Sequence, residues 1–472
     1  MKAEGWKDRL VYQRKNFWKT ATPREREEAQ VFAAGYMKFL NTCKTERETV
    51  THVASLMEKK GFHDIDIVGK ADRLFRSARG KNLALAVIGN QPLTDGINLI
   101  VSHIDTPRVD LKQNPLSEDS TTELAVLRTH YYGGVKKYQW MSTPLSLHGV
   151  VIKDNGETVN ISIGEKEKEP VFIMPDLLPH LASREQYSKK IGDAVSASHM
   201  QVVFGSMPYE KEAEKLKEAV KLNILYLLHQ KYGIVEEDLL SAELQLVPAG
   251  KARNAGLDGS LISAYGQDDR VCAYASLQAL FSLQPDKLDR TAVIYLADKE
   301  EIGSESNTGA KSAFMLDFLA DLLKYNQESA DSMNLRKTLI KSQIISADVN
   351  AAINPNFPEV HEKDNAVHLG FGVSVTKYTG SRGKSMTNDA NAEFNSKIIR
   401  ILNAAGVNWQ TGMLGKVDEG GGGTIAKFMA EYGAEVIDCG PGLLGMHSLY
   451  ELSSKADVYS AYRAYRAFFE KA

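Results

Sequence analysis

The run Thr291-Ala-Val-Ile-Tyr-Leu296, followed at once by Ala297-Asp298-Lys299-Glu300-Glu301-Ile302-Gly303-Ser304, constrains this chain more than any other stretch. A β-rich apolar run without alternation predicts a strand buried on both faces, which belongs in a sheet covered by helices. The carboxylates stand where that strand ends, and in open α/β sheets ligands bind outside the carboxyl ends of the strands. Two adjacent glutamates repel each other there unless something positive lies between or beside them. A solvated acidic turn would carry the same dipeptide, so the reading depends on whether other strand ends carry hard ligands as well.

They do. Leu99-Ile-Val-Ser-His103-Ile-Asp105-Thr-Pro107 is a second apolar run, ending in His-x-Asp with a proline that stops the strand. A histidine so placed can bind a divalent cation through one ring nitrogen while a carboxylate fixes the ring through the other. A third run, Gln343-Ile-Ile-Ser-Ala-Asp348-Val-Asn350, ends in Asp348 ahead of the turn signal Asn354-Pro355. Gln267-Asp268-Asp269-Arg270 directly precedes the helical pattern Val271 to Phe281, and His447 lies in a glycine-rich loop after the strand Glu435 to Asp438. Five segments each offering His, Asp or Glu at an element end make a two-metal hydrolytic centre the economical explanation. Nitrogen and carboxylate ligands without thiolates suit zinc, cobalt or manganese in an open site.

The segments Ser-His103-Ile-Asp105-Thr-Pro, Asp268-Asp269-Arg, Asp298-Lys-Glu300-Glu301-Ile-Gly-Ser, Asp348-Val-Asn-Ala-Ala-Ile-Asn-Pro-Asn-Phe357 and Gly-Met-His447-Ser-Leu-Tyr-Glu resemble those of the M18 metallo-aminopeptidases, which include aspartyl aminopeptidase and vacuolar aminopeptidase I. The resemblance runs in order to near Phe469. It implies an α/β catalytic domain with a mixed central sheet flanked by helices, a dinuclear metal centre and an inserted, mainly β second domain. It also implies roles. Asp268 bridges two divalent ions, zinc with cobalt or manganese as alternatives; His103 and Asp348 complete one metal, and Glu301 with His447 completes the other. Glu300 is then the general base that later protonates the leaving amine, and Asp105 orients His103.

At 472 residues two domains are expected. With 43% hydrophobic and 25% charged residues the composition is that of a globular protein, and a formal net charge of −3 argues against nucleic acid as the main partner. The amino terminus has no apolar signal region and no run is long and uncharged enough to span a bilayer, so a cytoplasmic location is expected. Cys43, Cys272 and Cys439 have no paired spacing, which fits a reducing compartment and excludes a cysteine-based zinc finger. Cys272 sits in a helical apolar pattern and reads as core.

Thr22-Pro23-Arg24-Glu25 and Thr45-Glu-Arg-Glu48 are capping boxes that open two helices, the second closed by Gly61. Strands are expected at Ile65 to Val68, Leu83 to Ile88 and Ile97 to His103. From about Asp110 to Leu244 the texture turns to tyrosine and glycine clusters, short alternating stretches and the charge run Glu165 to Glu169, so residues 110–244 read as the inserted domain and 1–109 with 245–472 as the catalytic domain. Alternating Val367 to Val375 reads as a strand, and helices are expected at Ala390 to Ala405, Thr424 to Tyr432 and from Ser453 to the terminus. Gly420 to Gly423 lacks the Lys-Ser or Lys-Thr of a phosphate loop, and is read as backbone that passes close to a substrate peptide.

By the resemblance, the inserted domain serves dimerisation and substrate gating in a dodecamer built from dimers. Pro179-His180-Leu-Ala resembles a segment whose histidine reaches a neighbouring subunit's active site, although a buried structural histidine explains it as well. Two readings stand for the first substrate residue. Lys377, Arg382 or Lys384 could pair with an acidic side chain, or form a solvated basic loop. The stretch Val417-Asp-Glu-Gly-Gly-Gly-Gly-Thr424 departs from the aspartyl-specific pattern, which puts that specificity in doubt, and the glycine run resembles the aminopeptidase I branch, which implies a preference for neutral or hydrophobic residues. A deacylase or carboxypeptidase on the same scaffold would keep these ligands, and a non-catalytic assembly protein would have been free to lose one.

Overall fold

The computed structural model describes residues 3–69, 71–210 and 216–472. The chain forms two compact units, one comprising the chain up to Asp105 with Ala252–Met446 and Glu451–Ala472, the other Thr106–Lys251 with His447–Tyr450. Among the described residues no helix is long and apolar enough to cross a membrane.

The first unit is built on a mixed sheet of nine strands in the order His63–Asp64, Arg73–Ala78, Asn82–Val87, Ala292–Ala297, Asn98–His103, Gln343–Ser346, Glu435–Gly440, Val373–Thr376, Trp409–Thr411. Its centre is parallel: Asn98–His103 lies between Ala292–Ala297 and Gln343–Ser346, with Glu435–Gly440 beyond. Register pairs Ala297 with His103 and Ser346 with Val101. His103, the Asp298–Glu301 group and Asp348 therefore leave the sheet at one carboxyl edge.

Both faces of these strands are covered, as their unbroken apolar runs require. Leu83, Leu85, Ile100, Ile294 and Leu296 enter one core with helices Pro23–Thr42, Gln267–Phe281 and Lys455–Lys471. Their neighbours Ala84, Leu99, Val101, Val293 and Tyr295 enter the other, beneath helix Phe314–Tyr325. That helix buries Met315, Phe318, Leu319, Leu322 and Leu323 at helical spacing, each stabilising the fold by about 1.5–3 kcal/mol. A smaller sheet of the same unit runs in the order Arg253–Ala255, Leu261–Ala264, Glu451–Ser454, Gly442–Leu444, Asn350–Ala351.

Both capping boxes form, at Thr22 with Glu25 and at Thr45 with Glu48, and Gly61 takes the left-handed conformation. Ile65 to Val68 is a turn rather than a strand, and Arg73–Ala78 supplies the sheet position instead. Only Val373–Thr376 of the alternating 367–375 stretch is strand. Gly370 and Gly372 turn there with φ of 84° and 86°, and their amides donate to the buried Asp457 carboxylate at 2.7 Å each.

The second unit holds an antiparallel sheet in the order Thr158–Ile163, Leu145–Ile152, Glu243–Pro248, Arg108–Asp119, Leu124–Tyr132, Val202–Gly205. It also contains helix Ala219–Tyr232, which the sequence reading did not anticipate. Val220, Leu222, Ile224, Leu225, Leu227 and Leu228 lie on all sides of that helix, so no single apolar stripe announces it.

Candidate metal centre

His103 is the last residue of its strand and fully buried. Its Nδ1 lies 3.0 Å from the Asp105 carbonyl oxygen and 3.3 Å from Asp105 Oδ1. Donation from Nδ1 to Asp105 leaves the Nε2 lone pair facing the carboxylates, as a metal-binding imidazole requires. On that side stand Asp268 Oδ1 at 3.2 Å, with Glu300 Oε2 and Asp348 Oδ1 each at 4.0 Å. Asp105 does a second job: its two oxygens accept the backbone N–H groups of Glu300 at 3.1 Å and Glu301 at 3.2 Å. Those glutamates occupy a single 3-10 turn bracketed by Lys299 and Gly303, both left-handed. A buried strand end, a left-handed residue and one carboxylate thus fix where the acidic pair sits.

Asp268 and Asp269 open helix Gln267–Phe281 but are themselves non-helical, with φ/ψ of −78°/109° and −114°/28°. This break lets both face the cluster. Asp269, read from the sequence as the less favoured bridge beside Asp268, accepts the His103 backbone N–H at 3.3 Å. Ligand atoms of His103, Asp268 and Glu301 lie within 4.8 Å of one another, and so do those of His103, Asp269 and Asp348.

The electrostatics are those of too many anions in one place. Burial first, and then the nearby Asp348, push the Asp269 carboxyl well above the usual carboxylate range. Asp348 is also raised well above that range, by burial and by Glu300 and Asp268, with His103 opposing. For His103, burial works against the charged ring, but hydrogen bonds to Asp105 and Asp268 outweigh it and raise its pKa. Without added positive charge these groups must take up protons; a divalent cation relieves the same repulsion without them. The donor set fits such ions: one imidazole, several carboxylates and no thiolate. The buried Asp269 Oδ1 has no hydrogen-bond partner among the described residues, as an oxygen reserved for a cation would.

The structure thus brings together His103, Asp105, Asp268, Glu300, Glu301 and Asp348, and adds Asp269. The other sequence-selected residues have surroundings of their own. His447 is left-handed, with φ of 64°, and belongs to the second unit, where its Nδ1 lies 3.0 Å from the Gly134 carbonyl oxygen. His180 sits on the 3-10 turn Pro179–Leu181 and is exposed, so the buried structural role is not the one it has. Lys384 Nζ meets Asp389 at 2.8 Å and Lys377 Nζ meets it at 3.6 Å, while Arg382 is a left-handed residue of the same loop. Gly420 and Gly421 pack closely on the chain's own backbone: a Cβ on Gly421, whose φ is 111°, would stand 2.5 Å from the Ser381 Cα. That is a sufficient reason for glycine there. All three cysteines are buried and free.

The sequence model of the family described as aminopeptidase I zinc metalloprotease (M18) matches residues 39–469. A probable M18 family aminopeptidase 1 of Clostridium acetobutylicum is 48% identical over 468 residues, covering 97% of this chain and 98% of its own. An aspartyl aminopeptidase of Caenorhabditis elegans is 25% identical, over 96% of this chain and 97% of its own. The crystal structure of an M18 family aminopeptidase from Thermotoga maritima superposes with a TM-score of 0.92 at 45% identity, over 98% of this chain and all of that one. With a family match over nearly its whole length and near-half identity to full-length relatives, the chain belongs to the M18 family of zinc-dependent aminopeptidases.

Proposed function

We propose that this chain removes single residues from the amino termini of peptides with a carboxylate-bridged two-metal centre built on His103, and that it prefers neutral or hydrophobic first residues. The observation that carries this is the pair of overlapping donor groups, His103 with Asp268 and Glu301 and His103 with Asp269 and Asp348. In this reading Asp268 would be shared between the two ions, Asp348 and His103 would hold one and Glu301 the other; His447 is assigned to the second on its motif alone. Zinc is the expected ion, since the family is one of zinc metalloproteases. When bound, the ions supply Lewis acidity for the scissile carbonyl and a lowered pKa for water.

The chain's own residues do the rest. Glu300 is held by the Asp105 hydrogen bond to its amide, with its carboxylate facing the cluster, and takes the proton of the attacking water before delivering it to the departing amine. Asp105 keeps His103 and both glutamates in register. The surplus carboxylates anchor the free amino group of the substrate, which restricts cleavage to chain ends.

Two observations support the neutral preference. Asp389 already pairs with Lys384 and lies near Lys377, so neither lysine is a bare cationic anchor. The relatives near half identity share the aminopeptidase 1 description, whereas the aspartyl enzyme stands at 25%. Residues 110–244 would serve assembly, as a dodecamer built from dimers, and gating through His180. Exposed Leu177, Leu178, Leu181, Leu222, Tyr226 and Leu227 in this region support an assembly face. Light scattering of the purified protein tests that.

The experiment for the function is turnover of aminoacyl anilides of Leu, Met, Lys, Asp and Glu by metal-stripped protein re-loaded with zinc, cobalt or manganese. Leu or Met is expected to dominate. Dominance of Asp or Glu would transfer specificity to the basic loop. Cleavage only of N-acyl amino acids would replace the aminopeptidase by a deacylase.

A further inference from the structure

The carboxylate of Glu451 acts on the backbone that carries Asp268. Glu451 is fully buried at the start of strand Glu451–Ser454, where pairing sets it opposite Ala264. Its Oε2 accepts the backbone N–H of Gln267 at 2.6 Å and that of Asp268 at 3.1 Å. The Gln267 side chain completes the arrangement. Its Nε2 donates to the Glu451 carbonyl oxygen at 2.7 Å and to that of Ile262 at 3.2 Å, and its Oε1 accepts from Ser453 Oγ at 2.5 Å.

These contacts matter because of what Asp268 is asked to do. Its φ and ψ are not helical, and its amide, at the helix opening, has no preceding turn to bond to. Gly266, left-handed with φ of 70°, lets the chain reverse just before it. A side chain brought from 183 residues away supplies the acceptor that this amide otherwise lacks. Two N–H donors converging on one carboxylate oxygen form charge-assisted bonds, stronger and more directional than those to a neutral acceptor.

We infer that Glu451 is a positioning residue for the metal centre: by holding the Gln267 and Asp268 amides it aims the Asp268 carboxylate at the side of the His103 ring where Oδ1 now lies 3.2 Å from Nε2. The inference rests on the proposed ligand role of Asp268. It assigns Glu451 no contact with substrate. Replacement by Gln keeps the volume but removes the charge and turns one oxygen into an NH2 group. Shortening to Asp withdraws the acceptor from both amides.

The test is zinc affinity, measured by competition with a chromophoric chelator, together with the visible spectrum of the cobalt-loaded full-length protein and the melting of the metal-stripped protein. Glu451→Gln is expected to weaken zinc binding roughly 10–100-fold, the range for partners that orient metal ligands. The cobalt bands should change and kcat should fall with KM little altered. Ser453→Ala, which loosens Gln267 but leaves the Glu451 bonds, should bind zinc within about threefold of the parent and change mainly the melting temperature. Parent-like affinity and cobalt spectrum in Glu451→Gln, with only the melting temperature lowered, would reduce Glu451 to a structural cap and overturn the inference. Failure of the underlying reading looks different: Asp268→Ala would then bind zinc as tightly as the parent.

Discussion

Each of the two units buries a histidine beside carboxylates, and the two clusters are not alike. In the second unit His148 Nε2 lies 3.0 Å from Ser146 Oγ and 3.2 Å from Glu165 Oε1, and Ser146 Oγ donates to that same oxygen at 2.7 Å. Hydroxyl, ring and carboxylate answer one another there. In the first unit His103 faces Asp105 through one nitrogen and Asp268, Glu300 and Asp348 through the other, with Asp269 and Glu301 close by. Among the described residues only the His103 cluster brings three metal-ligand atoms within reach of one another. A buried histidine next to an acid is therefore not by itself a metal site. An excess of buried negative charge around open lone pairs is what separates the two.

The sharpest way to break the contrast is Glu300→Gln. As the general base it should lower kcat on a leucine anilide by roughly 10²–10⁴-fold, with zinc content per chain unchanged. A variant within threefold of parental turnover would remove Glu300 from the chemistry. His148→Ala tests the other side. Leaving Ser146 and Glu165 without their shared partner should destabilise the protein by about 1–3 kcal/mol, seen as a lower urea midpoint, while zinc content stays parental. Loss of zinc in that variant would show that the two clusters are not distinct in kind.

A third buried carboxylate sharpens the comparison through pH. Burial pushes the Asp457 carboxyl up to about 7 against the pull of the Gly370 and Gly372 amides. Its folded pKa is thus above its unfolded value near 3.8, so the folded state holds the proton longer. Its contribution is most favourable at low pH, declines as pH rises through the window from about 4 to about 7 and is flat above it. Asp457→Asn cannot ionise and should flatten that part of the stability curve, measured by urea unfolding at pH 4, 5, 6 and 7. An unchanged slope would mean that Asp457 is ionised across the whole range. The smallest effect is expected from Lys384→Ala. Its exposed pairing with Asp389 should matter little, shifting the ratio of Leu to Asp anilide cleavage by less than about twofold.

The sequence reading reached the sheet and its acidic edge because their signals are local. Unbroken apolar runs ending at His103, Leu296 and Ala347 mark buried parallel strands, and the ligand types follow at once. The mixed sheet flanked by helices and the M18 membership were legible for the same reason. What escaped depends on distant partners. Asp269 turns inward because the backbone breaks before the helix, which a helical pattern conceals. Glu451 closes the His447 motif, which by itself gives it no role, since its target is an amide of a remote segment. The turn at 367–372 exists because Asp457 captures two glycine amides, although alternation alone suggests a strand. Helix Ala219–Tyr232 is apolar on all sides and blends into the β texture around it.

The most direct measurement is titration of zinc into the metal-stripped protein by calorimetry, for the parent and for Asp268→Ala. The account predicts two ions per chain in the parent and loss of saturable binding at one or both sites in the variant. A parent that binds no zinc with micromolar or better affinity, or a variant that still takes up two ions as tightly as the parent, would contradict it.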